Sequence, residues 1–385
     1  MTEPTLGPLN PTDDAEHFPG SVDAGPVRSV LHDVQQALGA TFRDDDGWYW
    51  TMGFGDGLTG YEAVRRGAAI WDVYPLVKWD VTGTQARQAL QRVFTADLSA
   101  QDIGQVKYGA FVDADGTLVD DGTVFKHSDQ HYWVLTNTSG FGDFWAARAA
   151  GLDYRAVNRT RQMPLISVQG PDSRRLLQSL TVSDLESLRY FRFWPDQVTI
   201  GGVQTHLMRT GFSGELGFEL IPAAKDAVAL WTALTAAGAV PVGLDTIEPV
   251  RIEAGLIIYG TDYTPGEHTP YDVSLDKMVS LSADFLGRNA LKGVVADPPN
   301  RLATLVMEPG ELADVGASVL WGSESVGTLS SRVDSPEFGP IGLAMLASAA
   351  AVPGNQLSVV GGGRLTRATV APLSLKDPDK RRPRG

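Results

Sequence analysis

The chain has 385 residues, 46 acidic against 32 basic side chains for a net charge of −14, 43% hydrophobic residues and no cysteine. That length predicts two or three domains with cores large enough to need no cross-links, and the lack of Cys excludes disulfide frameworks, Cys-based zinc or iron–sulfur sites and thiol nucleophiles. A pI of about 4.8 argues against a broad nucleic-acid or anionic-membrane surface.

No segment carries the roughly 18 uninterrupted apolar residues of a membrane span, and the start lacks a basic region followed by an apolar core, so the expected location is the cytoplasm. Residues 1–26 mix Pro, Gly, Asp and Thr without periodicity and are expected to form a flexible extension. Helices are predicted over Val27 to Leu38, Gly60 to Gly67 and Gln85 to Val93. Short runs at Val77 to Val81, Tyr108 to Val112, Thr123 to Lys126 and Tyr132 to Thr136 are strands separated by turns, a meander that favours antiparallel sheets. Leu165 to Val168 and Gly202 to Met208 are further strands. Ala223 to Gly238 is the longest predicted helix, with Val228, Leu230, Trp231 and Leu234 on its apolar stripe. After a Pro-rich linker, Ala296 to Arg301, six strand-sized runs suit a small barrel or sandwich over residues 301–377. The basic, Pro-broken end at 378–385 is expected to be a solvated tail.

FVDADGTLVDD, Phe111 to Asp121, matches the first motif of haloacid-dehalogenase-type phosphatases, but the strand–turn–strand pattern that follows fits DADG as a hairpin turn. The turn leaves Asp120 and Asp121 unexplained. Adjacent strand residues point to opposite faces, so one of the two carboxylates can face a cleft. His127 and His131 bracket a hairpin loop without a companion carboxylate set, so no metal site is expected. RTGFSGELGFEL, Arg209 to Leu220, combines three glycines that permit close approach of a flat ligand with Glu219, a carboxylate in an apolar strand. Glu219 is either a ligand anchor or the outward-facing residue of an edge strand. In Pro249 to Leu275, Arg251 and Glu253 lead into an apolar run, and Tyr259, Asp262 and Tyr263 can line a pocket.

In order along the chain, YEAVRRGAAIWDV, GQVKYGAFVDADGTLVDDGTVF, LISVQGP, RTGFSGELGFEL, PVGLDTIEPVRIEAGLIIYGTDYT and DFLGRNAL resemble the glycine cleavage T-protein family of folate-dependent aminomethyltransferases and its folate-dependent demethylase relatives. The resemblance spans Val27 to Leu375. It implies an α+β, three-domain, cloverleaf-like fold, with a folate-binding region of two intertwined domains over residues 27–295, a C-terminal β-barrel and tetrahydrofolate in a central channel. Glu219 matches the family's pterin-binding glutamate, where one carboxylate can accept a ring N–H and an amino group together. Asp121 matches the aspartate near the folate nitrogens, Tyr108 a tyrosine of the same site and Asn137 an asparagine on the neighbouring strand. Phe212, Arg251 and Leu76 complete the implied cofactor wall, and Tyr259 and Tyr263 join Asp121 as catalytic candidates.

Three departures stand out against the family pattern. Tyr74-Pro75-Leu76 replaces Ser-His-Met, Phe212 replaces a tyrosine, and Ile247-Glu248 replaces an Arg-Asp pair. Read as changes to the donor side of the channel, they argue against the glycine cleavage role, and the segments VRIEAGLIIYGTDYT and TPYDVSL resemble the demethylase branch more closely. The expected function is then transfer of a methyl group between a small O-, N- or S-methylated molecule and tetrahydrofolate, without a lipoyl carrier protein. The alternatives are a true aminomethyltransferase of a glycine cleavage system and a non-catalytic folate-binding protein.

Overall fold

The computed structural model describes residues 26–45, 47–294, 297–310, 313–361 and 363–385. The expected N-terminal extension, apart from Pro26, lies outside the described residues, as does the first residue of the linker, Ala296. Among the described residues no helix is long and apolar enough to cross a membrane.

Three β units organise the chain. An antiparallel five-stranded sheet runs in the spatial order Val106–Val112, Leu118–Ser128, His131–Thr136, Val77–Thr82 and Arg155–Asn158. A six-stranded sheet runs Val198–Ile200, Val203–Met208, Gly217–Pro222, Ile166–Gln169, Ala69–Asp72 and Val240–Val242, with only the last pair parallel. Ala69–Asp72 joins this second sheet before the chain has built the first, so the two units interleave along the sequence. Asn300–Met307, Ser318–Trp321, Glu324–Ser335, Gly339–Ala347, Gln356–Gly361 and Arg364–Ala371 close into a six-stranded barrel. Closure removes the exposed edges that such short strands would otherwise present. The α+β class and the C-terminal barrel are therefore as the resemblance implied.

Strand alternation decides which side chains meet. Val77, Trp79, Val81, Phe111, Val124 and Val134 take one face of the five-stranded sheet and pack with Leu90 and Trp145 of the helices Ala86–Gln91 and Phe141–Arg148. The opposite phase, Val106, Phe125, Trp133 and Leu135, meets Ala69, Trp71, Met208, Ile221 and Val242 of the six-stranded sheet. The far side of that second sheet, with Ile70, Val168, Phe218 and Leu220, is covered by Leu230, Trp231 and Leu234 of the helix Ala227–Ala236. Two sheets thus face each other across one apolar, aromatic-rich layer, and any carboxylate in the layer's phase is held between them.

Local differences from the expected elements have physical causes. Only His32–Ala37 of the first predicted helix forms, because Val27 bridges to Trp48 as a strand partner. The second helix starts early, at Gly57, where the Asp56 carboxylate caps the Leu58 N–H. The strand at Leu118–Ser128 is much longer than its apolar run, since Asp120 and Asp121 belong to it. Val228 is 41% exposed and Ala227 takes its place in the core, because the 3₁₀ turn Ala224–Asp226 precedes the helix and shifts its phase. The end of the chain is not a solvated tail. Arg382–Arg384 forms a 3₁₀ turn with Pro383 buried, because its cations and carbonyls find partners far away in sequence.

Candidate functional site

Glu219 sits in the middle of the six-stranded sheet, paired on one side with Met208 and on the other with Ser167, and the same row continues to Trp71 and Val242. This is the row that faces the five-stranded sheet, so the edge-strand reading of Glu219 fails. Thr210 donates its hydroxyl to Glu219 Oε2 at 2.5 Å, whereas Oε1 has no partner among the described residues. Burial pushes the Glu219 carboxyl above its usual range, against the Thr210 hydrogen bond and the Lys78 charge. The Trp71 indole N–H, on the same row, is buried without a hydrogen-bond partner. An open carboxylate oxygen and an orphaned indole donor inside an apolar, aromatic layer are what a flat heterocycle with paired donors and ring acceptors requires, so the residues present fit a pterin.

The loop that carries Thr210 is fixed from beneath by Gln169. Its amide donates to Ser167 Oγ at 2.9 Å and to the Thr210 carbonyl at 3.4 Å, and its oxygen accepts from Ser213 Oγ at 2.6 Å. Gly211 and Gly217 leave the space for that amide: a Cβ at either position would stand 2.3 Å from it. Sequence reading missed Gln169 and Thr210. The available signal was a polar residue closing the apolar run LISVQ directly before Gly-Pro.

Asp121 is 8% exposed on the strand of the opposing sheet. Tyr263 donates to its Oδ1 at 2.7 Å, Tyr108 to its Oδ2 at 2.8 Å, and Asn137 Nδ2 to Oδ1 at 3.2 Å. Three donors around one carboxylate hold its orientation and offset part of the cost of burial, which pushes its proton affinity up. Both phenols are in turn pushed well above their ordinary range by burial and by the Asp121 charge. Four of the sequence candidates, Asp121, Tyr108, Asn137 and Tyr263, are therefore brought together.

Asp120 points the other way and accepts from the N–H groups of Asp121, Asn137 and Thr138 and from Asn137 Nδ2. It fixes the end of the neighbouring strand, and hence Asn137. Burial and the Asp121 charge push its pKa up to about 8.

The remaining candidates have other tasks. The Tyr263 hydroxyl is engaged by Asp121. Tyr259 packs edge-on against the Tyr263 ring at 5.9 Å and supports it. Phe212 and Leu76 pack along the aromatic layer, Phe212 at 6.5 Å from Trp71. Arg251 is 1% exposed, and its guanidinium bonds Asp262 at 2.6 Å, Glu248 at 2.8 Å and the barrel's Ser331 at 2.7 Å. It is a lock between the helix Leu244–Ala254 and the barrel, with its donors taken up by Asp262, Glu248 and Ser331. Arg251→Ala is expected to cost about 3–5 kcal/mol of stability, read as a lower urea midpoint, with the tetrahydrofolate affinity of the folded protein unchanged. His127, His131 and His206 cluster with Trp133 and Phe193, and among the described residues no group of side chains could hold a metal.

Lys78, also missed, is fully buried on the strand face opposite Val77, Trp79 and Val81, with Nζ donating to the carbonyls of Tyr74 at 2.7 Å and Val73 at 3.4 Å. Burial lowers its pKa to about 7 against the charges of Asp72 and Glu219. Tyr74 itself is 3% exposed, edge-on to Trp48 at 5.3 Å, with its hydroxyl on the Arg161 carbonyl at 3.0 Å. Ile247 is 1% exposed in the apolar layer, and Glu248 pairs with Arg251. Two of the three departures are accounted for by packing and ion pairing, so they give no ground for a different donor.

Comparison with known proteins bears on the same point. Residues 31–283 match the GCVT N-terminal domain, and residues 300–377 match the glycine cleavage T-protein C-terminal barrel domain. An aminomethyltransferase of Streptomyces avermitilis is 35% identical over 86% of this chain and 91% of its own length. One of Streptomyces coelicolor is 34% identical over the same shares. A probable aminomethyltransferase of Haloarcula marismortui is 32% identical over 89% of this chain and 96% of its own. The crystal structure of the glycine cleavage system aminomethyltransferase T from Bartonella henselae has the same fold, with a TM-score of 0.84 at 22% identity over 91% of this chain and 98% of that one. These names overturn the expected transfer of a methyl group to or from a small methylated molecule and favour the aminomethyltransferase alternative. This family uses tetrahydrofolate, in line with the fit of a pterin to the groups around Glu219. With both matched regions in order and relatives this similar along most of its length, the chain belongs to the glycine cleavage T-protein family.

Proposed function

We propose that this protein is a folate-dependent aminomethyltransferase, moving the carbon of an aminomethyl group from a thiol of a carrier onto tetrahydrofolate and releasing ammonia and the free thiol. One observation carries the reading: Glu219, with one carboxylate oxygen that no described residue occupies, and Asp121, clamped by two phenols and an amide, lie on opposing sheets of a single apolar layer. The tetrahydrofolate supplies the nitrogens that take up the carbon. Glu219 anchors the pterin, and Asp121 places a fixed negative charge where positive charge develops on the one-carbon unit as ammonia leaves. The low dielectric between the sheets strengthens that attraction.

The carrier is part of the proposal. The expectation of no lipoyl carrier rests on the three departures, of which Tyr74 and the Ile247-Glu248 pair have structural roles. The test is incubation with tetrahydrofolate and an aminomethylated lipoyl carrier protein, or aminomethylated lipoamide alone, measuring ammonia and methylenetetrahydrofolate. Equal amounts of the two products are expected, and comparison of the donors shows whether the carrier's protein part is needed. Tetrahydrofolate binding without ammonia release from either donor would overturn the transfer and leave a folate-binding protein.

A further inference from the structure

We propose that the C-terminal segment Lys380 to Arg384 is a clamp on the pterin-binding loop, with Arg382 as a positioning residue for Glu219. The inference rests on the folate reading above and adds residues outside the channel to it.

The loop from Arg209 to Gly217 carries Thr210, the hydroxyl donor to Glu219. Three glycines make this loop deformable, and Gly214 holds a φ of +72°. The tail grips it at both ends. At the start, the Arg209 guanidinium donates to the carbonyls of Pro383, at 3.5 Å, and Arg384. Near the finish, Arg382 Nε donates to Glu215 Oε2 at 2.7 Å, although the Glu215 side chain is only 2% exposed. The Lys380 ammonium donates to the Ala254 carbonyl at 2.5 Å and ties the segment to the helix that ends there.

From Glu215 a connected set of hydrogen bonds reaches the Glu219 carboxylate. The Glu215 N–H donates to Ser213 Oγ at 3.2 Å, Ser213 Oγ to Gln169 Oε1 at 2.6 Å, Gln169 Nε2 to the Thr210 carbonyl at 3.4 Å, and Thr210 Oγ1 to Glu219. Glu215 also holds Arg65, whose other arm pairs with Glu253, and Glu253 accepts from the barrel's Ser335 at 2.6 Å. Each end of the tail's grip therefore bears on a group that orients the loop, and the ordering cost of a glycine-rich loop is met before the ligand arrives.

The experiment measures tetrahydrofolate binding by calorimetry from pH 5 to 8 in the unaltered protein, in Arg382→Ala, in Arg382→Lys and in a chain ending at Asp379, each with its unfolding midpoint. Arg382→Ala is expected to weaken binding about tenfold, with a small change in midpoint because Glu215 keeps Arg65. The acid limb of binding is expected to move to higher pH, since loosening Thr210 removes a bond that holds the Glu219 carboxyl down; Arg382→Lys recovers part of both effects. Unchanged affinity and pH profile in Arg382→Ala and in the shortened chain, even with a lowered midpoint, would overturn the clamp and leave a brace. Failure of the unaltered protein to bind tetrahydrofolate is a separate result and defeats the folate reading itself.

Discussion

Replacing Glu219 by Gln is expected to weaken tetrahydrofolate binding at least about 100-fold, close to 3 kcal/mol, without lowering the unfolding midpoint at neutral pH. The loss follows from chemistry at one atom pair. An ionised carboxylate accepts two hydrogen bonds from a pterin's adjacent donors, whereas an amide offers one acceptor and sets an N–H against the second donor. The midpoint behaves oppositely because burial raises the Glu219 pKa. A carboxyl whose folded pKa lies above its unfolded value adds stability below the unfolded pKa and loses it as pH rises through the folded one. At neutral pH the charged form is a cost, which the neutral amide lacks. The same sign governs binding in the unaltered protein: affinity falls as pH drops through the raised Glu219 pKa, earlier than for an exposed glutamate. Calorimetry paired with thermal unfolding across pH 5 to 8 checks both halves. An affinity unchanged by the substitution would remove Glu219 from the site.

What the sequence disclosed depended on the range over which the partners lie. Short strand-sized runs bounded by turn residues located most strands of the five-stranded sheet and all six of the barrel, because run length and turn chemistry are local properties of each strand. The DADG turn was equally legible, and Gly116 closes it by donating to the Asp113 carbonyl at 3.0 Å. Glu219 and Asp121 were found through motif resemblance, but their surroundings were not. Gln169 meets Ser213 across 44 residues and Arg382 meets Glu215 across 167, distances over which composition carries no information. For that reason a Pro-broken basic end reads, in the sequence, as a solvated tail.

Tyr74 illustrates the opposite error. Its place beside a family motif suggested a changed channel wall, whereas the backbone turn at Asp72, which accepts the Tyr74 N–H at 3.1 Å, precedes a ring buried against Trp48. A substitution within a motif does not reveal which way its side chain turns. Arg251 shows the same limit: the arginine position is kept, but Asp262 and Ser331 occupy the guanidinium.

Asp121→Asn is expected to lower kcat for aminomethyl transfer about 100- to 1000-fold while changing the tetrahydrofolate dissociation constant only a few-fold. Asp121 lies on the sheet opposite the pterin anchor, so its charge acts on the carbon being transferred more than on the bound ring. Asparagine keeps the shape and one acceptor oxygen, yet it meets two phenol donors, Tyr108 and Tyr263, with only that one acceptor. The charge is lost and one hydroxyl is left unpaired. Tyr263→Phe separates these effects. The carboxylate remains, but a hydrogen bond that holds its proton affinity down is gone, so the Asp121 pKa rises further above its unfolded value. At a pH well above that limb, kcat is expected to fall only about tenfold, and the acid limb of the kcat profile to move to higher pH. Asp121→Asn removes the limb that Asp121 causes, whereas Tyr263→Phe displaces it. If both variants show the same flat loss with an unmoved acid limb, Asp121 acts by packing alone, and the charge needed beside the transferred carbon must come from another residue.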